Sequence, residues 1–301
     1  MTHIDNITIN AAGVDLNVNS LGATDLPPVV LLHGIRDVGL SLLPIAQQLS
    51  DRYRVHLLDL RGHGRSARPD SYSMAAMLYD LHSVIDALCD TPPALVGHSL
   101  GGQITTRFAA TFPAAVSAIV VIEGIGPPPP RDGVSARALL DREAQRIIRI
   151  MSARMRDVAS IDEAAERLRK NNPRLSAERA YKLATVTTEP NSDGSRAWAF
   201  DPRAQSVFLA ARDAKFYWPL VECPTLLIAG ALADEYWSQS IPINEHWNGK
   251  FADGQLDDIA AQFGDAEWVE FDGSGHMIHF DEPERLASTT RDFLQQRYQV
   301  A

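Results

Sequence analysis

The chain has few of the residues that mark a disulfide scaffold or a metal-binding module. Its 301 residues include only two cysteines, Cys89 and Cys223, and no C-x-x-C or Cys/His cluster. Two widely separated cysteines in apolar surroundings predict free thiols in a reducing compartment. No H-E-x-x-H, EF-hand or P-loop pattern occurs either. The sequence therefore implies no metal and no cofactor.

Long apolar runs and an excess of positive charge are also missing. No uninterrupted apolar stretch approaches the ~18 residues needed to span a bilayer, and residues 1–6 lack the basic and apolar regions of a secretory signal. The chain carries 28 Lys and Arg against 38 Asp and Glu, a net charge of −10, whereas nucleic-acid binding favours a basic surface. We expect a cytoplasmic protein whose partner is a small-molecule substrate, with no nucleic acid and no membrane. The sequence predicts no oligomeric state.

Short apolar runs alternate with helical segments over much of the chain. The predicted strands are continuous apolar runs, at residues 28–32, 55–58, 94–96, 118–122, 224–228 and 268–271. Helical spacing appears between them at 42–49, 74–88 and 103–112. Strands of this kind are buried on both faces of a parallel sheet. The pattern predicts an α/β fold with a doubly wound, mostly parallel sheet and ligand chemistry at the carboxyl ends of its strands.

The alternation stops after residue 122, and a helical region follows. Helical spacing covers residues 134–158, 161–170 and 177–187. We interpret residues 127–219 as a helical lid, or cap, inserted into a core made of residues 1–126 and 220–301. Four apolar side chains in the first helical segment follow helical spacing and predict packing between lid and core; they are Ile147, Met151, Met155 and Val158.

The most informative motif is Gly97-His98-Ser99-Leu100-Gly101, which directly follows a predicted strand. This is the G-x-S-x-G pattern of a nucleophile elbow, a sharp strand-to-helix turn that exposes a serine hydroxyl in a strained backbone conformation. Residues without a side chain are needed on both sides of such a turn for steric reasons. The motif predicts that Ser99 is a nucleophile and that the Leu100 N–H faces the group it attacks.

A serine needs a base, and the base needs an acid to hold its tautomer. In folds of this type both follow the serine, with the acid before the histidine. His276 lies in the glycine-rich turn Gly273-Ser274-Gly275 after the last predicted strand, which favours it over His279. Asp234 follows the strand at 224–228, and Glu123 follows the strand before the insertion. We expect Asp234 to be the acid and keep Glu123 as the alternative.

These segments resemble the α/β-hydrolase superfamily over nearly the whole chain. The resemblance rests on the elbow and on four further segments: Leu32-His33-Gly34-Ile35, Asp59-Leu60-Arg61-Gly62-His63-Gly64-Arg65-Ser66, Pro224 to Asp234, and Gly275-His276 followed by Glu282-Pro283. The segment from Ile122 to Pro128 also resembles the serine-hydrolase-like branch, which is lidded but vague in function. One departure is that Asp234 lies four residues after Gly230, where the family often has three.

The resemblance implies a role for each matching residue. Ser99 would be the nucleophile, His276 the general base and Asp234 the acid, while the amides of Ile35 and Leu100 would form the oxyanion hole. A serine argues against epoxide hydrolases and haloalkane dehalogenases of this fold, which use an aspartate there. The expected reaction is hydrolysis of a carboxylic ester, or a related acyl bond, through an acyl-enzyme.

The substrate is less well defined than the reaction. Trp218, Trp237 and Met277 flank the predicted lid junction and triad loops, so we expect them to line a pocket for a small, largely apolar substrate. Carbon–carbon hydrolase, lactonase, thioesterase and amidase activities keep the same serine and stay open, because the pocket decides among them. A slow-turnover ligand-binding receptor is the alternative from outside enzymology.

Overall fold

A computed structural model describes residues 3–128, 136–209, 213–239 and 247–298. Eight strands form one sheet in the order β1-β2-β4-β3-β5-β6-β9-β10, and β7 and β8 form a separate two-stranded pair. The strands are β1 (Asp5–Ala11), β2 (Val14–Leu21), β3 (Pro28–Leu32), β4 (Arg54–Leu58), β5 (Ala94–His98), β6 (Ala118–Ile122), β7 (Thr188–Pro190), β8 (Arg196–Trp198), β9 (Thr225–Gly230) and β10 (Ala266–Phe271). All pairings from β4 to β10 in the large sheet are parallel, which confirms the predicted fold class.

Helices cover both faces of the large sheet, and further helices lie in the insertion. They are α1 (Leu43–Leu49), α2 (Met74–Leu88), α3 (Leu100–Thr111), α4 (Ala136–Met151), α5 (Ile161–Asn171), α6 (Ala177–Thr187), α7 (Asp234–Trp237), α8 (Gln255–Ala260), α9 (Ile278–Asp281) and α10 (Pro283–Arg297). Helix α2 spans the predicted residues, and its N-cap Ser73 accepts a hydrogen bond from the Ala76 amide. No helix in the described part of the chain is both long enough and apolar enough to cross a membrane.

The central strands lie in the core because nearly every residue in them is apolar or small. β3, β5 and β6 are buried along their whole length. Alternate side chains point to opposite faces, so two separate apolar clusters form, one against α2 and α3 and the other against α1 and α10. This double burial holds the carboxyl ends of β3, β5, β6, β9 and β10 along one edge, where the predicted site residues lie.

The antiparallel hairpin of β1 and β2 was absent from the sequence prediction. Its strands are rich in Asn and Asp and contain no continuous apolar run. The available signal was the two-residue turn Ala12-Gly13, where both residues have positive φ, at 49° and 88°. Such turns match the twist of a hairpin. The hairpin extends the sheet beyond β4 and does not contribute to the site.

Helices α4, α5 and α6 lie between β6 and β9, within the predicted insertion. The predicted start of the first helix, residue 134, lies outside the described residues. Helix α4 ends at Met151 and not at residue 158, so the four predicted residues do not form one helical stripe. Their predicted packing is wrong at three positions, because Ile147, Met151 and Met155 are exposed by 43%, 49% and 38%. Val158 is buried, in a small apolar cluster between α5 and α6. Ile147 and Met151, the two of these residues that lie within α4, are on its solvent-exposed side.

Candidate active site

Ser99 lies at the turn between β5 and α3, with φ of 52° and ψ of −112°. This strained conformation is the one expected of a nucleophile elbow. A Cβ on Gly97 would lie 2.4 Å from the Gly101 carbonyl carbon, and one on Gly101 would lie 2.2 Å from the Leu32 carbonyl oxygen. Both glycines are therefore required by close backbone approach, as the sequence predicted. The turn places the Ser99 side chain above the carboxyl edge of the sheet.

His276 reaches Ser99 from the loop after β10. Its Nε2 atom lies 3.0 Å from Ser99 Oγ, within hydrogen-bond distance. The loop is held at both ends, because the Ser274 amide donates to the Phe271 carbonyl and the Gly275 amide donates to Asp281 Oδ2. The structure thus brings together the predicted serine and histidine, 177 residues apart in the chain.

The acid beside His276 is Glu123 and not Asp234. Glu123 Oε2 lies 2.9 Å from His276 Nδ1, and its Oε1 accepts a 2.7 Å hydrogen bond from the Gly230 amide. Both the carboxylate and the imidazole are buried. Because a carboxylate accepts, Nδ1 carries the proton and Nε2 is left to accept from the serine. Glu123 directly follows β6 and has a positive φ of 50°, which turns its side chain over the sheet edge.

The expected contact between Asp234 and His276 is therefore wrong. Asp234 is the first residue of α7, and its side chain lies toward the opposite loop, with Lys250 Nζ 4.0 Å from Oδ1. Gly249 also approaches that side chain closely. β6 and β9 are neighbours in the sheet, so their ends compete for the same space beside His276. The longer loop after β9 carries Asp234 past this position, and its Gly230 amide serves Glu123 instead.

The two predicted oxyanion-hole amides belong to segments that are tied together. Leu100 begins α3, and Ile35 lies on the loop after β3. The Gly101 amide donates to the His33 carbonyl, which joins this loop to the elbow. No hydrogen bond within the described residues engages the amide of Ile35 or Leu100. Both amides are available to an external acceptor, and their role as an oxyanion hole stays a prediction.

Two buried histidines brace the loop that carries Ile35. His33 Nε2 accepts a hydrogen bond from the Leu60 amide, so His33 Nδ1 carries the proton that it donates to the Gly34 carbonyl. His63 Nε2 accepts from the Arg36 amide. Burial lowers the pKa of His63 to about 3, which keeps the ring neutral and able to accept. His33 and His63 are therefore structural supports of the loop that carries Ile35.

A family model described as the alpha/beta hydrolase family matches residues 29–289. That range includes the elbow, the loop of Ile35, Glu123 and His276. The chain belongs to the alpha/beta hydrolase family. It is a hydrolase, and the bond it cleaves is a separate question because one fold supports many chemistries.

Known proteins are similar to this hydrolase over most of its length. A serine hydrolase-like protein from Danio rerio is 26% identical over 285 residues, which cover 89% of this chain and 81% of the relative. The thioesterase domain from the curacin biosynthetic pathway is 27% identical with a TM-score of 0.76, covering 95% of this chain and 99% of that domain. E-2-(acetamidomethylene)succinate hydrolase has a TM-score of 0.76 at 23% identity, covering 97% and 100%, and shows the fold alone.

The loop after β9 supplies an aromatic wall to the hydrolase. Tyr236 stacks on the His276 ring with centroids 4.0 Å apart and planes 12° from parallel. Trp237 meets the same imidazole edge-on, at 4.7 Å. Burial raises the pKa of Tyr236, so the phenol is neutral. No sequence motif pointed to Tyr236; its place two residues after Asp234 in a strand-end loop was the available signal.

A cavity of about 240 Å³ opens beside His276 and is lined mainly by polar residues. Of the three predicted pocket residues, only Met277 lines it. Trp218 is buried in the core, where it stacks on Phe263, so its predicted place in the pocket is wrong. Trp237 contacts His276 without lining this cavity. The other walls include Tyr236, Asn172 and Arg174, the last two from the segment between α5 and α6.

Arg174 links the insertion to both loops that flank His276. Its Nε atom donates to Asp281 Oδ2, 2.9 Å away, and one terminal nitrogen lies 3.0 Å from Glu235 Oε2. Asp281 Oδ2 also accepts from the Gly275 amide, one residue before His276. Burial opposes the charge of the guanidinium, but hydrogen bonds to these two carboxylates outweigh it and raise the pKa of Arg174, so the charge is permanent. One side chain thus holds the insertion against the loop that carries His276.

Proposed function

We propose that this protein is a serine hydrolase that cleaves a carboxylic ester, or a related acyl bond, through an acyl-enzyme. Ser99 attacks the carbonyl carbon, His276 accepts the serine proton, and Glu123 stabilises the imidazolium that forms. The observation that carries the proposal is the continuous hydrogen-bonded line from Ser99 Oγ through both ring nitrogens of His276 to Glu123. A buried serine, an imidazole and a carboxylate in this order are the parts needed for nucleophilic acyl transfer.

The amides of Leu100 and Ile35 receive the oxyanion in this mechanism. They lie on either side of the elbow, and preorganised backbone donors of this kind are worth roughly 3–4 kcal/mol each in the transition state. The proton taken by His276 then passes to the leaving alcohol. A water molecule, deprotonated by the same imidazole, attacks the acyl-enzyme and regenerates the Ser99 hydroxyl.

The helical insertion acts as a lid in this proposal. Arg174 and Asn172 contribute to the cavity wall beside His276, so the insertion covers the space where a leaving group or acyl group would lie. The cavity combines polar groups with the apolar surfaces of Tyr236, Met277 and Pro173, so it can accept the small, largely apolar substrate expected from the sequence. The ester itself, with one polar end and one apolar end, fits such a mixed surface.

A thioester is the second candidate bond. The likeness to the curacin-pathway thioesterase domain favours it, since that likeness covers 95% of this chain at 27% identity. Thioesters undergo the same attack, oxyanion formation and hydrolysis, so the site distinguishes them from esters only through the pocket.

Hydrolysis of p-nitrophenyl esters, from acetate to long acyl chains, tests the proposal, with acyl-N-acetylcysteamine thioesters as a parallel series. We expect turnover by the wild-type protein and a loss of about 10⁴–10⁶-fold in kcat for Ser99→Ala, since the serine forms the covalent bond. Ser288→Ala, on the exposed surface of α10, is the matched control and should keep full activity. Absence of turnover with both series would contradict the proposal and turn attention to carbon–carbon bonds or a binding function.

A further inference from the structure

Three buried side chains from three different elements converge beneath His276. Asp37 lies on the loop after β3, His98 ends β5, and His279 is the second residue of α9. Their exposed fractions are 2%, 1% and 2%. One ligand-type atom from each lies within 4.8 Å of the other two. None of the three takes part in the proton transfers proposed for Ser99, His276 and Glu123, so their convergence needs a separate explanation.

The hydrogen bonds of His98 determine where its free lone pair lies. Its Nε2 atom is 2.9 Å from the His276 carbonyl oxygen, and a carbonyl can only accept, so Nε2 carries the proton. Burial and the neighbouring histidines hold the pKa of His98 well below its usual value, so the ring is neutral. Nδ1 therefore presents a bare lone pair. It has no hydrogen-bond partner within the part of the chain that the structure describes.

His279 also uses one ring nitrogen for a hydrogen bond, here to the carboxylate of Asp37. Its Nε2 atom lies 3.1 Å from Asp37 Oδ2, and its Nδ1 atom is a second buried nitrogen without a partner among the described residues. The His98 and His279 rings are 4.3 Å apart between centroids. Two buried imidazole nitrogens without partners among the described residues, next to a buried carboxylate, are an unusual cost for a core, because buried polar atoms ordinarily find partners.

We propose that Asp37, His98 and His279 form a binding site for a divalent transition-metal cation of the Zn²⁺ class. Two imidazoles and one carboxylate are a donor set that such cations favour over Mg²⁺ or Ca²⁺. Ligand atoms that each lie ~2.1 Å from one zinc ion are roughly 3.0–3.4 Å apart. The 3.1 Å between His279 Nε2 and Asp37 Oδ2 already matches this. The cation replaces the proton between them, which moves to His279 Nδ1.

Groups around Asp37 support it as a ligand. Its Oδ1 accepts from the Val38 amide and its Oδ2 accepts from Ser41 Oγ, at 2.9 and 2.7 Å. Metal-bound carboxylates are oriented by such outer hydrogen bonds. The site also lies against the acid–base residue, since the His98 and His276 rings are 5.1 Å apart. A bound cation would repel the charge that His276 acquires during acyl transfer, so occupancy inhibits hydrolysis; this consequence rests on the proposed function, whereas binding does not.

Calorimetric titration of the metal-stripped full chain with ZnCl₂ tests the site, and Co²⁺ absorption reports the coordination. We expect one tight equivalent for the wild-type protein and for His276→Gln, because the site does not use the catalytic ring. His279→Gln and Asp37→Asn should each weaken binding by about tenfold or more, since each removes a ligand. The amide introduced by His279→Gln keeps an N–H donor toward Asp37, and thermal unfolding checks that both variants fold. His82→Gln, an exposed histidine on α2, is the matched control.

The outcomes separate this site from binding at the triad. Zn²⁺ binding that survives both His279→Gln and Asp37→Asn, or that His276→Gln abolishes, overturns the proposal, as does the absence of a tight equivalent in the wild type. Inhibition of ester hydrolysis by Zn²⁺ that disappears in His279→Gln would add support. If the protein hydrolyses no ester, the calorimetric result still decides the metal site by itself.

Discussion

The ends of β6 and β9 lie side by side at the same edge of the sheet, and each is followed by a carboxylate. Glu123, directly after β6, contacts His276, whereas Asp234, four residues beyond the end of β9, lies near Lys250. The difference comes from the backbone as much as from the side chains. The β9 loop gives its Gly230 amide to Glu123 and its Tyr236 ring to His276, so it supports the site without supplying the acid.

This comparison shows that a carboxylate's place after a strand does not by itself decide whether it contacts the histidine. The loop that follows the neighbouring strand also decides it. Either position could supply an acid in the accepted chain order of serine, acid and histidine. Glu123 has the longer side chain and the positive φ that turns it inward. Asp234 has a buried Oδ1 atom with no hydrogen-bond partner among the described residues, which fits a residue displaced from a site rather than one serving it.

The strongest test exchanges each carboxylate for its amide. We expect Glu123→Gln to lower kcat by roughly 10³–10⁴-fold, because an amide nitrogen would hold His276 in the wrong tautomer. Asp234→Asn should change kcat by less than about threefold, since that side chain does not contact His276. Steady-state hydrolysis of the best p-nitrophenyl ester measures both, and matching unfolding midpoints would show that the folds are intact. Equal losses of kcat in the two variants would contradict the assignment of Glu123 as the acid.

A subtler test concerns the reach of the acid. Glu123→Asp keeps the charge but withdraws the carboxylate by one methylene from His276 Nδ1 and the Gly230 amide. A misplacement of about 1 Å in a catalytic constellation costs on the order of 10²-fold in rate. We expect kcat to fall by about that factor, between wild type and Glu123→Gln. An activity equal to wild type would show that side-chain length is not what selects Glu123.

The smallest expected effect concerns the aromatic contribution of the β9 loop. Tyr236→Leu removes the stacked ring, and a cation over an aromatic face gains about 0.5–2 kcal/mol. We therefore expect kcat/KM to fall by about 3–30-fold, because the imidazolium that forms during acyl transfer is less stabilised. Tyr236→Phe keeps the ring and should stay within about twofold of wild type. If both variants behave alike, the phenol hydroxyl or cavity shape matters instead of the stacked face.

Local features of the chain were readable from sequence because short-range sterics determine them. The Gly97–Gly101 elbow, the apolar strands, helix α2 and the glycine turn before His276 depend on neighbours within a few residues, and the structure contains each of them. The predicted apolar stripe shows the limit of this reasoning. The helix ends at Met151, before Met155 and Val158, and Ile147 and Met151 are exposed. Periodicity says which residues could share a face, but not where the helix ends or what that face meets.

The sequence by itself determined the α/β fold and placed Ser99 and His276 after strands that end at the same edge of the sheet, since burial and backbone sterics act locally. Only the tertiary structure decided that Glu123 is the carboxylate on His276, that Tyr236 covers the imidazole, and that Asp37, His98 and His279 meet in the core. Those choices join residues far apart in the chain. They depend on the relative positions of loops from different strands, to within a hydrogen-bond length, which no local pattern encodes.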